Sequence, residues 1–339
     1  MTETVADRLH AEVKRRHSDE ITAVRADQPL DSDIVGFVDT QAPSLNYAIG
    51  QPGYPKGRLT LLVGKPKAGK STLGYHALQE TQRLGGVAIL VDAERRYSRD
   101  RAERMGIDHQ KLIYIPGTSV EATFKELYAF CTVFQEDGMG EDADLTIVWD
   151  SLAGTPLEAE LKQEGSTAGH AKVVGKWFRV LLPQMAHKKI TFIMINQLRT
   201  KIDMGGGTFF SAGPSDTMLA DRALSFHCSL KIFVTQIQKV GTPDPVGIVS
   251  KADVQFNTTA PPYRKGLVHI DFVEGLNRDA CAFEAAKTIK LIKETGSGWW
   301  QYKGGPKFQG ARSAKWSEVL HGSEELQRLL AEAPNDWRV

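Results

Sequence analysis

The sequence predicts an α/β fold: a mostly parallel sheet with helices on both faces, an N-terminal helical segment, and a small α+β C-terminal domain. Three observations carry that prediction. A strand, a glycine-rich turn and a helix follow one another across residues 58–84. Unalternated apolar runs then recur at 87–91, 112–116, 145–149 and 190–195, separated by helical stretches at 120–134 and 167–185. Such runs are strands buried on both faces, which is the mark of a parallel sheet. Finally, 339 residues at 41% hydrophobic content can bury one large core and still carry appendages.

Taken in order, residues 1–30 are charged, with Val5, Leu9, Val13 and Ile21 spaced for one helical face. Either this segment docks on another surface, such as a neighbouring subunit, or it is a solvated tail. Residues 28–57 are rich in Pro, Gly and Asp and read as an irregular lead-in with a short helix near 44–49. A core spans 31–273 and a C-terminal domain 274–339. Within the core, residues 226–234, 247–256 and 267–272 alternate and read as antiparallel strands that extend the sheet. Beyond it, 285–294 reads as a helix, 298–305 as a hairpin and 317–333 as a helix.

The chemistry centres on Gly64-Lys65-Pro66-Lys67-Ala68-Gly69-Lys70-Ser71, which fits the phosphate-loop pattern G-x-x-x-x-G-K-[S/T] between a strand and a helix. Gly64 and Gly69 let successive N–H groups turn towards one anion. Lys70 supplies charge for the outer phosphates, and Ser71 a hydroxyl for Mg²⁺. Thr72 extends the helix start, whose unpaired N–H groups and dipole also favour phosphate. The ligands implied are ATP and Mg²⁺.

In such sheets ligands sit at the carboxyl ends of strands, and three polar groups fall there. Asp150 ends the 145–149 run and suits the Mg²⁺ side, or else caps the next turn. Asp92-Ala93-Glu94 ends the 87–91 run. It holds either a general base for the attacking water or a solvated acidic turn paired with Arg95 or Arg96. Asn196-Gln197 ends the fourth run, where Gln197 can bond a γ-phosphate or is simply a polar strand end. A long glycine-rich segment follows, with Arg199, Lys201, Ile202 and Gly205-Gly206-Gly207. Loops of that length in compact domains are functional or disordered.

Bulk properties bound the rest. Forty-two basic and 41 acidic residues leave no net charge to signal nucleic acid. Cys131, Cys228 and Cys281 form no metal or disulfide spacing, which suits a reducing cytoplasm. No apolar run is long enough to span a membrane. From 295 to 317, Lys303, Lys307, Arg312 and Lys315 interleave with Trp299, Trp300, Tyr302, Phe308 and Trp316. That composition fits a nucleic-acid surface or a small domain core equally well.

The distributed set Gly64 to Ser71, Val91-Asp92-Ala93-Glu94, Val148-Trp149-Asp150-Ser151, Ile195-Asn196-Gln197 and Gly298-Trp299-Trp300-Gln301-Tyr302-Lys303-Gly304 resembles the RecA-type homologous-recombination ATPases, bacterial or phage-encoded. The resemblance covers roughly residues 30–320. It implies a RecA-like core in which Glu94 is the catalytic base, Lys70 and residues 64–72 hold the nucleotide, and Ser71 and Asp150 hold Mg²⁺. Gln197 is then the switch that reports the γ-phosphate to the following DNA loop. Arg199 faces the DNA backbone there, Ile202 is wedged between bases, and Lys172 and Arg179 face phosphates from the preceding helix. Several positions depart from the bacterial pattern. Ser98 and Arg101 stand where an acid and a tyrosine flank the adenine. Gln255, Asn257 and Ser225 stand where interface lysines do, while Phe226 is retained. These departures and the Met204–Thr208 stretch tilt the resemblance towards a phage-type member.

The expected function is an ATP-dependent recombinase, a DNA-dependent ATPase that forms a helical filament on single-stranded DNA. It would pair that strand with double-stranded DNA for strand exchange in recombination and repair, inside the bacterial cell, with loader or mediator proteins as further partners. The alternatives are a helicase motor on the same fold and a weakly hydrolysing mediator or scaffold.

Overall fold

The computed structural model describes residues 5–16, 30, 33–136, 138, 139, 143–163, 169–186, 188–200 and 216–338. Helix α1 (Val5–Arg16) stands first. A two-stranded ribbon, β1 (Phe37–Val38) with β2 (Tyr54–Pro55), brackets α2 (Pro43–Ile49), the short lead-in helix.

The central sheet contains β3 (Leu59–Gly64), β4 (Val87–Asp92), β5 (Leu112–Ile115), β6 (Leu145–Asp150), β7 (Ile190–Thr200), β9 (Leu230–Val240), β10 (Gly247–Asn257), β11 (Lys265–Asp271) and β12 (Gly275–Leu276). Its order is β12-β11-β10-β9-β3-β7-β6-β4-β5, with β8 (Asp216–Met218) paired to the end of β7. Strands β9, β3, β7, β6, β4 and β5 run parallel; β10, β11 and β12 are antiparallel. Strand β3, which feeds the phosphate loop, is therefore central and buried throughout.

Both faces are covered. Helix α3 (Lys70–Arg83), with α2 and α4 (Arg99–Arg104), closes one core through Leu73, Leu78, Ile195 and Ile270. The other face is closed by α5 (Val120–Glu136) and α7 (Gly169–Met185), with Phe124, Trp149, Phe178 and Phe192 in contact. Between them lies the single turn α6 (Glu158–Leu161). The C-terminal part has its own core around Phe283, Phe308 and Trp316, formed by α9 (Arg278–Thr288), the sheet β13 (Ile292–Gly296), β14 (Trp299–Tyr302), β15 (Lys307–Gln309), and helices α10 (Ala314–His321) and α11 (Glu324–Glu332).

Four local expectations are corrected. The strand expected at 226–234 begins only at Leu230, because α8 (Asp221–His227) buries Leu224 against the α7 face and Ser229 N–H then donates to Leu59 O. The helix expected at 285–294 lies at 278–288. Asn277 caps it through Ala280 N–H at 3.0 Å, and Lys290 at φ 61° turns the chain into β13. Residues 298–305 are no closed hairpin: β14 is the middle strand of three. The expected helix 317–333 breaks at Gly322, after which Ser323 caps α11 at Leu326 N–H.

Among the interleaved C-terminal residues, Tyr302, Phe308 and Trp316 are buried in the core. Lys303 pairs with Glu325, Arg312 with Asp271 and Lys315 with Glu318. Most of that stretch is thus ordinary packing with neutralised lysines. Trp299 and Lys307 remain exposed.

Candidate active site and its links

The loop between β3 and α3 is shaped by its glycines. Gly69 adopts φ 95°, where a side chain is strained. A Cβ there would lie 2.2 Å from Ile270 Cδ1. A Cβ on Gly64 would lie 2.1 Å from the Val234 carbonyl oxygen, so only glycine lets β3 and β9 pair so closely at the loop's entrance. Ser250 Oγ donates to Ala68 O at 2.9 Å and ties the loop to β10.

Lys70 is 6% exposed and donates to Gly64 O at 2.9 Å and Lys65 O at 2.8 Å. Burial holds its pKa below the usual lysine value, against the pull of Asp150 and Glu94. Among the described residues its hydrogen bonds run to carbonyl oxygens, and a phosphate is a far stronger partner for it.

Asp150 ends β6 directly beside Asp92 at the end of β4. Burial pushes its carboxyl pKa up; the Ser71 hydroxyl bonds it and Lys70 attracts it, while Glu94 and Asp92 repel it. A hydroxyl and a carboxylate are hard oxygen donors, and the crowded negative charge calls for a cation. Ser71 and Asp150 therefore fit Mg²⁺.

Asp92 and Glu94 separate into different roles. Asp92 is buried and accepts from Arg96 N–H (3.1 Å), Tyr97 N–H (2.8 Å) and Tyr114 OH (3.2 Å), so it anchors the turn. Glu94 faces the other strand ends. Its Oε1 accepts from Ser151 Oγ at 3.0 Å and from Gln197 Nε2 at 2.6 Å, while its Oε2 pairs with Arg96 at 2.9 Å. Gln197 in turn lies opposite Gly64 in the register of β7 with β3. The phosphate loop, Glu94 and Gln197 thus share one end of the sheet.

Asn196 is fully buried. Its Oδ1 accepts from Gln197 N–H and its Nδ2 donates to Leu219 O at 2.8 Å. Gln197 is therefore fastened to the chain where it returns after 201–215.

A cleft of about 470 Å³ lies along the loop. Lys67, Ala68, Gly69, Lys70, Ser71, Thr72 and Arg101 line it. Arg101 donates to Thr72 Oγ1 at 3.0 Å from α4, which Ser98 caps. The rest of the lining is Gln236, Lys239, Pro245, Ile248, Ile270 and Phe272. Nothing in the local sequence marked these residues, because strand pairing alone brings them to the cleft.

Lys65 and Pro66 form the exposed start of the loop. Lys172 and Arg179 are exposed on α7, outside the cleft, and Lys176 shares their stripe. Arg199 lies on β7 opposite Thr217. Lys201, Ile202, Gly205, Gly206 and Gly207 lie outside the described residues. Asn257 is engaged within the subunit, donating to Ile49 O at 2.7 Å and accepting from Thr259. Ser225 accepts from Lys231 at 2.9 Å, whereas Gln255 and Phe226 are exposed. No described helix is long and apolar enough to cross a membrane.

The RecA N-terminal domain family model matches residues 13–277. The protein RecA of Porphyromonas gingivalis is 30% identical over 302 residues, 88% of this chain and 84% of that one. That of Bacteroides thetaiotaomicron is 31% identical over 307 residues, 89% and 88% of the two chains. That of Chloroherpeton thalassium is 32% identical over 297 residues, 86% and 78%. With a phosphate loop on the central strand of a mostly parallel sheet and these matches across most of its length, the chain belongs to the RecA family, as a RecA-type recombinase.

Proposed function

We propose that this protein is a DNA-dependent ATPase that assembles as a helical filament on single-stranded DNA and promotes pairing and strand exchange with a homologous duplex. The observation that carries this reading is the 2.6 Å bond from Gln197 Nε2 to Glu94 Oε1. It joins the group suited to activate water to the last polar residue before the segment 199–215, where Arg199 and Lys201 would meet DNA. A γ-phosphate bound at Lys70 competes for the same glutamine amide, so nucleotide state and the position of that segment become coupled.

In this reading ATP is the substrate. Lys70 and the N–H groups of 67–72 hold its phosphates, Arg101 lies against the base, and Glu94 takes a proton from the attacking water. Ser71 and Asp150 would hold Mg²⁺, which neutralises charge developing on the phosphates. Exposed Lys172 and Arg179 add phosphate contacts with little sequence preference. Subunits stack head-to-tail, a heterologous contact that forms open helices when its rotation does not close.

The test is ATP hydrolysis with and without single-stranded DNA, in wild type and Lys70→Ala, with negative-stain imaging of the DNA-bound form. DNA stimulation lost in Lys70→Ala, together with open helices, is the expected result. Rings that unwind duplexes would replace this reading with the helicase motor. DNA binding without turnover would replace it with the mediator.

A further inference from the structure

Side chains three apart on a strand point to opposite faces, yet Gln236 and Lys239 of β9 both line the cleft. A β-bulge reconciles the two facts. Val249 of β10 lies opposite Gln238 and Ser250 opposite Gln236, which leaves Ile237 as an extra residue. Beyond the bulge Lys239 lies opposite Ile248. Ile248 and Ser250 are two apart, so they share one face, and their cross-strand partners Lys239 and Gln236 share it too. Ile237 is turned outwards and is 52% exposed. Bulges beside sites often re-aim a side chain in this way.

That face is the one beneath the phosphate loop. Ser250 Oγ holds Ala68 O, and a Cβ on Gly69 would touch Ile270 Cδ1 at 2.2 Å and Ile248 Cδ1 at 4.0 Å. Ile270 lies opposite Ile248, so Lys239, Ile248 and Ile270 form one cross-strand row under the loop. Lys239 has no acidic partner among the described residues. The cleft lining carries Lys67, Lys70, Arg101 and Lys239 and no carboxylate. Asp150 and Glu94 attract Lys70 from behind the loop, but with no carboxylate in the lining itself this basic cleft suits a ligand bearing several negative charges.

We propose that Lys239 is a nucleotide-binding residue, delivered to the cleft by the bulge at Ile237, and that its ammonium contacts the polyphosphate alongside Lys70. This rests on the nucleotide reading of the cleft.

The experiment measures binding of fluorescently labelled ATP and ADP to the full chain by anisotropy, in the presence of Mg²⁺, at low and moderate salt. Lys239→Ala should weaken binding roughly three- to tenfold, the range of a partly exposed charge-assisted contact. The loss should shrink as salt rises, and Lys239→Arg should restore most of the affinity. Unchanged affinity in Lys239→Ala, or an Arg variant as weak as the Ala variant, overturns the proposal. Lys70→Ala serves as the separate control: undiminished binding there would overturn the nucleotide reading itself.

Discussion

Glu94→Gln separates chemistry from architecture at the proposed site. Glutamine keeps the volume of glutamate, which matters because the Glu94 side chain is packed so closely that a Cβ on Gly154 would lie 2.8 Å from its Cγ. The amide oxygen can still accept from Ser151 Oγ and Gln197 Nε2, the 3.0 Å and 2.6 Å contacts of the wild type. The ion pair with Arg96, whose side chain is 79% exposed, is lost, together with the longer-range attraction to Lys70. An exposed pair contributes about 0.2–1 kcal/mol, which for a domain of this size is a fall in Tm of less than about 4 °C. The amide, however, cannot take a proton, and removal of a general base costs about 10²–10⁴-fold in turnover. The assays are a thermal melt and single-strand-stimulated ATP hydrolysis on the same preparation, with nucleotide binding measured in parallel. A near-native melt with intact binding and turnover down by at least a hundredfold is expected. Full turnover in Glu94→Gln would remove Glu94 as the base. A collapse of the melt would instead make its role structural.

Gly64→Ala should lower stability by about 1–3 kcal/mol, the usual penalty of overpacking, because the new Cβ must clear the Val234 carbonyl from 2.1 Å; an unchanged melting curve would refute the close approach of β3 and β9. His76 is held neutral, its pKa pulled down to about 4 by burial and then by Arg278, with Nδ1 bonded to Gln41 and Nε2 accepting from Leu276 N–H. Because the unfolded chain takes up this proton near pH 6.5 and the folded chain does not, stability should fall as pH drops from 6.5 towards 4, by up to about 3 kcal/mol. Denaturant melts of wild type and His76→Gln across that window check it, and equal slopes would refute it. Arg199→Ala should weaken single-stranded DNA binding similarly across sequences and lower the slope of log K against log salt by about 0.7; an unchanged slope would place the DNA elsewhere.

The phosphate loop was legible because its chemistry needs contiguous residues. Glycine at 64 and 69, lysine at 70 and serine at 71 work within one turn, and the flanking strand and helix are set by local periodicity. The strand-end positions of Asp150 and Glu94 could also be read, since apolar runs end where the backbone leaves the sheet. Gln197, expected at a strand end, instead lies inside β7, which runs on to Thr200 in pairing with β8. The C-terminal elements were read less well. Asn277 is a cap whose signal was local, yet the helix it starts was placed several residues late. The basic-aromatic stretch was ambiguous in composition, and only packing around Phe308 and Trp316 separated core from surface.

What the sequence by itself determined is therefore the fold class, the phosphate-loop pattern and the carboxylates at the ends of β4 and β6. Tertiary structure alone decided which of two neighbouring carboxylates anchors a turn and which faces Gln197, a residue 103 positions away from Glu94. It alone brought Gln236 and Lys239 to one face, through a register shift between two antiparallel strands. The reason is physical: a local pattern fixes how a segment folds and which face it buries, whereas strand order and register fix which distant side chains meet, and they depend on the whole sheet at once.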